Sequence, residues 1–269
     1  MQTYAGVSIV NALPSWYGSS MAINLTLDVN IKQSSVCQGY SPLINQIISY
    51  FRDNYSIPCI DVDISSNIPQ KSGLKSSSAV STALIAEIIK NFKLPIRLSE
   101  VPKLSAILSL KAGVSYTGAL DDATSSFFGG VSFTYNKEFK IIEIREPPFD
   151  ISVLLIAKGD RSVKINMNYM RKFELLFKEI FALARRDMIT AMKLNGITIG
   201  TILGYDLTLI NEMLKRGALA SGISGNGPSI FSVTKKGDEG PILDFLEKNG
   251  EKPLLLEPVK LCEQRLKDQ

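Results

Sequence analysis

Three short stretches carry residue types that could do chemistry. Residues 68–79 read IPQKSGLKSSSA. A proline and a glycine bracket a polar turn, and three serines then open an apolar run with helical spacing. The first turn of a helix has amide groups without intrahelical partners and the positive end of the macrodipole, which suits an anion. Ser76, Ser77 and Ser78 add hydroxyl groups, one of which can turn its oxygen to Mg2+; Lys75 adds a charge and Gly73 a close backbone approach. The chemistry is that of a phosphate cradle, although GxxxxGK[ST] occurs nowhere in the chain. The same residues equally suit a serine-capped helix behind a polar turn.

Residues 117–130, TGALDDATSSFFGG, set Asp121 beside Asp122 among small residues. As a loop, this places two neighbouring carboxylates in different directions, with room for two different jobs. As a helix start, it is an N-cap with a first-turn acid. Residues 221–233, SGISGNGPSIFSV, bring Gly222, Gly225 and Gly227 together ahead of a strand. That suits a backbone that must approach a ligand, or a tight hairpin; the spacing is not GxGxxG and no helix follows. The chain has no histidine. Serine–histidine and cysteine–histidine catalysis are excluded, so proton chemistry falls to Asp, Glu, Lys or Tyr.

These stretches need elements to hold them. YAGVSIVNAL, MAINLTLDVNI and IPCIDVDISS read as strands, and Ser76 to about Asn91 as a helix stopped ahead of Pro95. A helix from near Ser99 to Gly113 follows, then two strands joined at Asn136-Lys137. Pro147-Pro148 marks a boundary between lobes 1–148 and 149–269. Beyond it come a buried strand (ISVLLIA), a helical face of Phe173, Leu176, Phe177, Ile180, Phe181 and Ala184, and a helix between Asp206 and Gly217. The strand SIFSVTK, the helix PILDFLEKNG and a last strand KPLLLEPVKL complete an α+β chain.

The 269 residues, 45% hydrophobic and 21% charged, are enough for one large domain or two lobes. The net charge of +4 is scattered, which favours a small anionic substrate over nucleic acid. No apolar run is long enough to span a membrane, and MQTYAGVSIVNAL has no basic region ahead of its apolar stretch, so a signal peptide is not expected. Cys37, Cys59 and Cys262 are far apart and odd in number, so neither a disulfide nor zinc is expected, and a cytoplasmic location fits.

Taken together and in order, the three stretches resemble the motifs of the GHMP kinases, the superfamily of galactokinase, homoserine kinase and mevalonate kinase. Its phosphate loop P-x-x-x-G-L-x-S-S-x-A is matched by Pro69, Gly73, Leu74, Ser76, Ser77 and Ala79, and its third motif by Gly222 to Ser229. GLKSSSA, TGALDDA, FFGG and VNAL followed by MAINL resemble the archaeal shikimate kinases in particular. The resemblance implies a two-lobed α+β fold with a ferredoxin-like C-terminal lobe and the active site between the lobes. It implies ATP- and Mg2+-dependent phosphorylation of a small-molecule hydroxyl, here on shikimate, giving shikimate 3-phosphate for aromatic amino acids.

The resemblance also implies roles. ATP falls to Gly73, Leu74, Lys75, Ser76, Ser77, Ser78, Ala79, Gly225 and Asn226, and the metal to Ser77 and Asp121. The pattern D-x-x-x-S-x-x-G-G, counted back from Gly129-Gly130, selects Asp122 as the catalytic base, with Asp121 beside it. Substrate contacts fall to Asn11, Asp122 and Ser224; KGDRSVKIN offers Arg161 and Lys164 either as a fork for the shikimate carboxylate or as a solvated turn. Tyr17 stands where many relatives carry a first-motif lysine, and ILSLKAGVSY lacks the glutamate that some use for a metal. A homoserine kinase, or an ATP-binding sensor without turnover, are the other readings; oligomeric state is not encoded in any of these motifs.

Overall fold

The computed structural model describes residues 1–69, 74–159 and 163–267. The chain opens with β1 (Gln2–Val10) and the long β2 (Tyr17–Gln33), an antiparallel pair. Next come α1 (Pro42–Tyr55), β3 (Ile60–Ser66), α2 (Ser76–Asn91), α3 (Val101–Lys111) and α4 (Leu120–Phe128). Strands β4 (Val131–Tyr135) and β5 (Lys140–Arg145) close the first half. The second half holds β6 (Ile151–Ile156), α5 (Met167–Arg171), α6 (Glu174–Ala184), α7 (Met188–Leu203) and α8 (Thr208–Lys215). It ends with β7 (Ala220–Ile223), β8 (Ile230–Lys235), α9 (Gly240–Lys248), β9 (Leu254–Leu256) and α10 (Glu263–Lys267).

Strand β2 is the spine of the first sheet. One edge pairs with β1 from Ser19 to Asp28. The other edge pairs with β4 at Tyr17–Met21 and with β3 at Leu27–Gln33. The gap between is filled from the far end of the chain: Val259 N donates to Ala22 O, Asn24 N to Glu257 O, and Ile23 bridges Pro258. Alternation explains the burial, since Val7, Ile9, Met21, Ile23, Leu27 and Val29 all point into one core with Ala83, Leu84 and Phe127 of α2 and α4. The second sheet runs β7-β8-β6-β9, all antiparallel.

Helix α7 ties the halves together, packing on β7 of one sheet and β1 of the other. Its Gly196 meets Gly222 of β7 so closely that a Cβ on Gly222 would lie within hard-contact distance of the Gly196 backbone. Gly222 therefore serves helix–strand packing. Among the described residues no helix is long and apolar enough to cross a membrane.

Of the two readings left open for Asp121 and Asp122, the helix start is the one that forms. Two sequence expectations are corrected. The last strand covers Leu254–Leu256, and 257–259 serves as the filler strip beside β2. Cys37 and Cys59, expected to stay apart, form a disulfide with Cα atoms 4.9 Å apart. The β2–β3 register pairs Gln33 with Ile60 and Ser34 N donates to Cys59 O, so the hairpin brings the two cysteines together across 22 residues.

Candidate active site

Helix α2 begins where the backbone turns left-handed: its N-cap, Lys75, has φ 69° and makes no side-chain cap. Its first intrahelical bond runs from Ala79 N to Lys75 O, so the amides of Ser76, Ser77 and Ser78 have no helical partner. Ser77 is exposed, and all three serines line a cavity of about 540 Å³. Ala79 is different. Its amide is spent within the helix and its methyl group is in the core, so it packs the helix rather than offering a ligand contact. Leu74 is buried at the cavity wall. Gly73 and Arg161 lie outside the described residues.

Helix α4 starts the same way, with Ala119 at φ 52° and no side-chain cap, and places both aspartates in its first turn. Acidic side chains are favoured there by the macrodipole. Asp121 turns inward: its Oδ1 accepts from Asn136 Nδ2 at 2.8 Å, while Asn136 Oδ1 accepts from Thr134 at 2.6 Å. Only glycine fits beneath it, since a Cβ at Gly18 would lie 2.5 Å from the Asp121 carboxyl carbon. Burial pushes the Asp121 carboxyl up to about 7, and the charge of Asp122 adds to this, against the pull of Lys75 and Asn136. Asp121 is inward and hydrogen-bonded through Oδ1 yet still lines the cavity, so it scaffolds the corner in which the sequence also reads it as a metal ligand.

Asp122 faces the cavity. Its Oδ1 is 3.0 Å from Lys75 Nζ, with both side chains nearly buried at 12% and 10% exposure. That oxygen accepts no aligned hydrogen bond, so the contact is an ion pair. Lys75 Nζ also donates to Ser8 Oγ at 2.8 Å. Ser126 anchors the helix by donating to Tyr4 O at 2.7 Å.

The glycine-rich stretch is a hairpin between β7 and β8, and its loop closes the cavity with Gly225, Asn226 and Gly227. Gly225 and Gly227 have φ 59° and 75°, and Tyr205 Oη donates to Asn226 O at 2.8 Å. Asn11 holds this loop to the first lobe: its Nδ2 donates to Gly225 O at 3.0 Å and to Asn226 Oδ1 at 2.7 Å. Its Oδ1 accepts from Leu13 N. With both amide hydrogens engaged, Asn11 clamps the loop to the first lobe while it lines the cavity. Ser224, the other expected substrate contact in this stretch, is buried behind the loop and is not a cavity-lining residue.

Tyr17 is not in the cavity either; it stacks on Tyr135 at 4.6 Å and Phe181 at 4.9 Å. Thr117, which opens the aspartate stretch, lines the cavity, as do Ser8, Ser109, Val114 and Tyr116, to which the sequence assigned no role. Ser8 was legible only as an alternation position on β1. The segment Val114–Thr117 was legible only as a polar and aromatic link leading into the aspartate stretch.

The site therefore joins an uncapped helix start, an ion-paired carboxylate and a glycine loop from the other lobe. The family model for the GHMP kinases N-terminal domain matches residues 42–130, and that for the GHMP kinases C-terminal domain residues 180–252. A shikimate kinase of Thermoplasma acidophilum is 33% identical over 87% of this chain and 85% of that protein. One from Pyrococcus furiosus is 32% identical over 86% of this chain and 89% of that protein. Among solved structures, a mevalonate kinase superposes with a TM-score of 0.74 at 16% identity, covering 97% of this chain and 99% of that one. The Methanococcus jannaschii mevalonate kinase gives 0.72 at 14% identity, over 96% and 97%.

Proposed function

The chain belongs to the GHMP kinase family, and on that premise we propose that it transfers the γ-phosphoryl group of ATP to a hydroxyl of shikimate. The observation that carries the reading is the single cavity shared by the α2 start, Asp122 and the Gly225–Gly227 loop. The relatives named shikimate kinase, at 32–33% identity over most of the chain, support the acceptor.

The nucleotide phosphates lie at the α2 N-terminus, against the amides and hydroxyls of Ser76, Ser77 and Ser78, with Gly225 and Asn226 opposite. Asp122 takes the proton of the acceptor hydroxyl as its oxygen bonds to the γ-phosphorus and the bond to the β–γ bridging oxygen breaks. Phosphoryl transfer asks little else of a protein than position and charge neutralisation. The exposed Ser77 hydroxyl lining the cavity is a hard oxygen donor of the kind Mg2+ takes alongside substrate phosphates. Ser77 would hold the ion together with the phosphates, and the ion supplies charge neutralisation when bound. Arg161 is the residue we assign to the shikimate carboxylate, since a planar fork suits that group.

The test is ADP release with Mg-ATP and shikimate, homoserine, mevalonate or no acceptor. Turnover with shikimate alone is expected. Turnover with another acceptor keeps the chemistry and discards the substrate; nucleotide binding with no turnover on any acceptor discards the enzyme.

A further inference from the structure

Lys75 stands out within the site. It is the one cation lining the cavity among the described residues. At the N-cap of α2 it could be expected to point at the phosphates, yet its ammonium lies 3.0 Å from Asp122 Oδ1 and 2.8 Å from Ser8 Oγ. Its stem runs over Gly6, where an added Cβ would touch Lys75 Cγ at 3.4 Å. β1 and α4 thus hold its ammonium through Ser8 and Asp122, and Leu74 O accepts from Gly6 N beside it.

Lys75 has φ 69°, a conformation glycine adopts freely and a lysine adopts only at some expense in free energy. Ala119 makes the same turn at φ 52° with only a methyl group, so the turn belongs to the helix start and what sets Lys75 apart is its partner. That partner is Asp122: two adjacent acids share this corner, and Asp122 Oδ1 has no aligned hydrogen bond to hold it.

We propose that Lys75 is a positioning residue for Asp122, fixing the carboxylate that receives the acceptor proton and balancing its charge, and is not an anchor for the nucleotide. The inference rests on the reading of Asp122 as the proton acceptor.

The experiment compares K75M, which keeps the stem without the charge, K75G, which also relieves the left-handed strain, and D122N. Calorimetry measures ADP affinity, and steady-state assays give kcat and KM with Mg-ATP and shikimate. Expected is an ADP affinity and an acceptor KM close to those of the unaltered protein, with kcat down about 100-fold in both lysine variants. Methylamine restores part of the lost turnover in K75G, where the stem's space is vacated, and not in K75M. In a D122N background K75G raises the melting temperature, because neither charge nor strain then has a purpose. Lost ADP affinity with kcat retained overturns the inference and returns Lys75 to the nucleotide. Turnover lost in D122N but kept in K75G and K75M overturns this inference alone, whereas full turnover in D122N overturns the reading of Asp122 as well.

Discussion

Helices α2 and α4 start with the same backbone device and opposite chemistry. Each has a left-handed N-cap residue, Lys75 at 69° and Ala119 at 52°, and neither has a side-chain cap. In α4 the positive helix end meets acids of its own, Asp121 and Asp122. In α2 the first turn holds no acid, only serines beside the cavity. A helix start supplied with its own anions can present a base; one left without them can receive a phosphate. The two lie close enough for Lys75, the N-cap of one, to pair with Asp122 of the other.

The largest effect comes from taking the chemistry out of α4. Asp122→Asn removes the proton acceptor and keeps the shape. Turnover should fall by about 10²–10⁴-fold, with ADP binding unchanged by calorimetry. Wild-type turnover in this variant would end the distinction between the two helix starts.

The next prediction makes α2 resemble α4. Ser77→Asp places a carboxylate where a phosphate is expected, on an exposed residue. ADP affinity should be lost, while the helix gains about 0.3–1 kcal/mol from the acid in its first turn. A melting curve shifted slightly upward alongside a flat ADP titration is the expected pair of results. Undiminished ADP binding would mean that the phosphates lie elsewhere.

A smaller effect separates the two aspartates. Asp121 has its folded-state pKa raised from 3.8 to about 7, chiefly by burial. The folded protein then holds a proton that the unfolded chain gives up. This contribution to stability is fully present below pH 3.8 and is lost as pH rises through about 7. Asp121→Asn, which keeps an acceptor for Asn136, should flatten that part of the stability–pH profile. Turnover should fall less than in Asp122→Asn, as the Asp121 carboxyl is tied to Asn136 over Gly18 at the cavity edge while Asp122 pairs with Lys75.

Much of this was legible in the sequence, for identifiable reasons. Helix α2 spans Ser76–Asn91, the range expected from its apolar spacing. The hairpin alternative for 221–233 and the helix-start alternative for Asp121-Asp122 both describe the backbone, and both stretches still line the cavity. Helix α4 stayed one of two readings because its apolar positions, Leu120, Ala123, Phe127 and Phe128, span only nine residues and the acids and hydroxyls between them are buried as well. The direction of the Lys75 side chain was not legible, since the motif position says nothing of its left-handed backbone or of Ser8 across the floor. The role of Asn11 was also hidden: its partners Gly225 and Asn226 are more than 200 positions away. Strand filling by 257–259 depends on a gap in a sheet that no local pattern encodes.

The smallest effect on turnover should come from the disulfide, which tests whether the two helix starts are self-contained. Cys37 and Cys59 close a loop around α1, whose Leu43, Ile44, Ile47 and Phe51 pack in the core alongside α2. Neither cysteine lines the active-site cavity. Cys59→Ser, or reduction of the purified protein, should lower stability by about 3 kcal/mol through the freed loop. Well below the melting temperature, kcat and ADP affinity should stay unchanged, because the start of α2 is held by β1 through Gly6 and Ser8 and not by α1. If turnover falls together with stability, then α1 controls the first turn of α2. The phosphate-receiving helix start would then depend on a distant staple, while its counterpart in α4, fixed by Ser126 to β1 and by Asn136 to Asp121, would not.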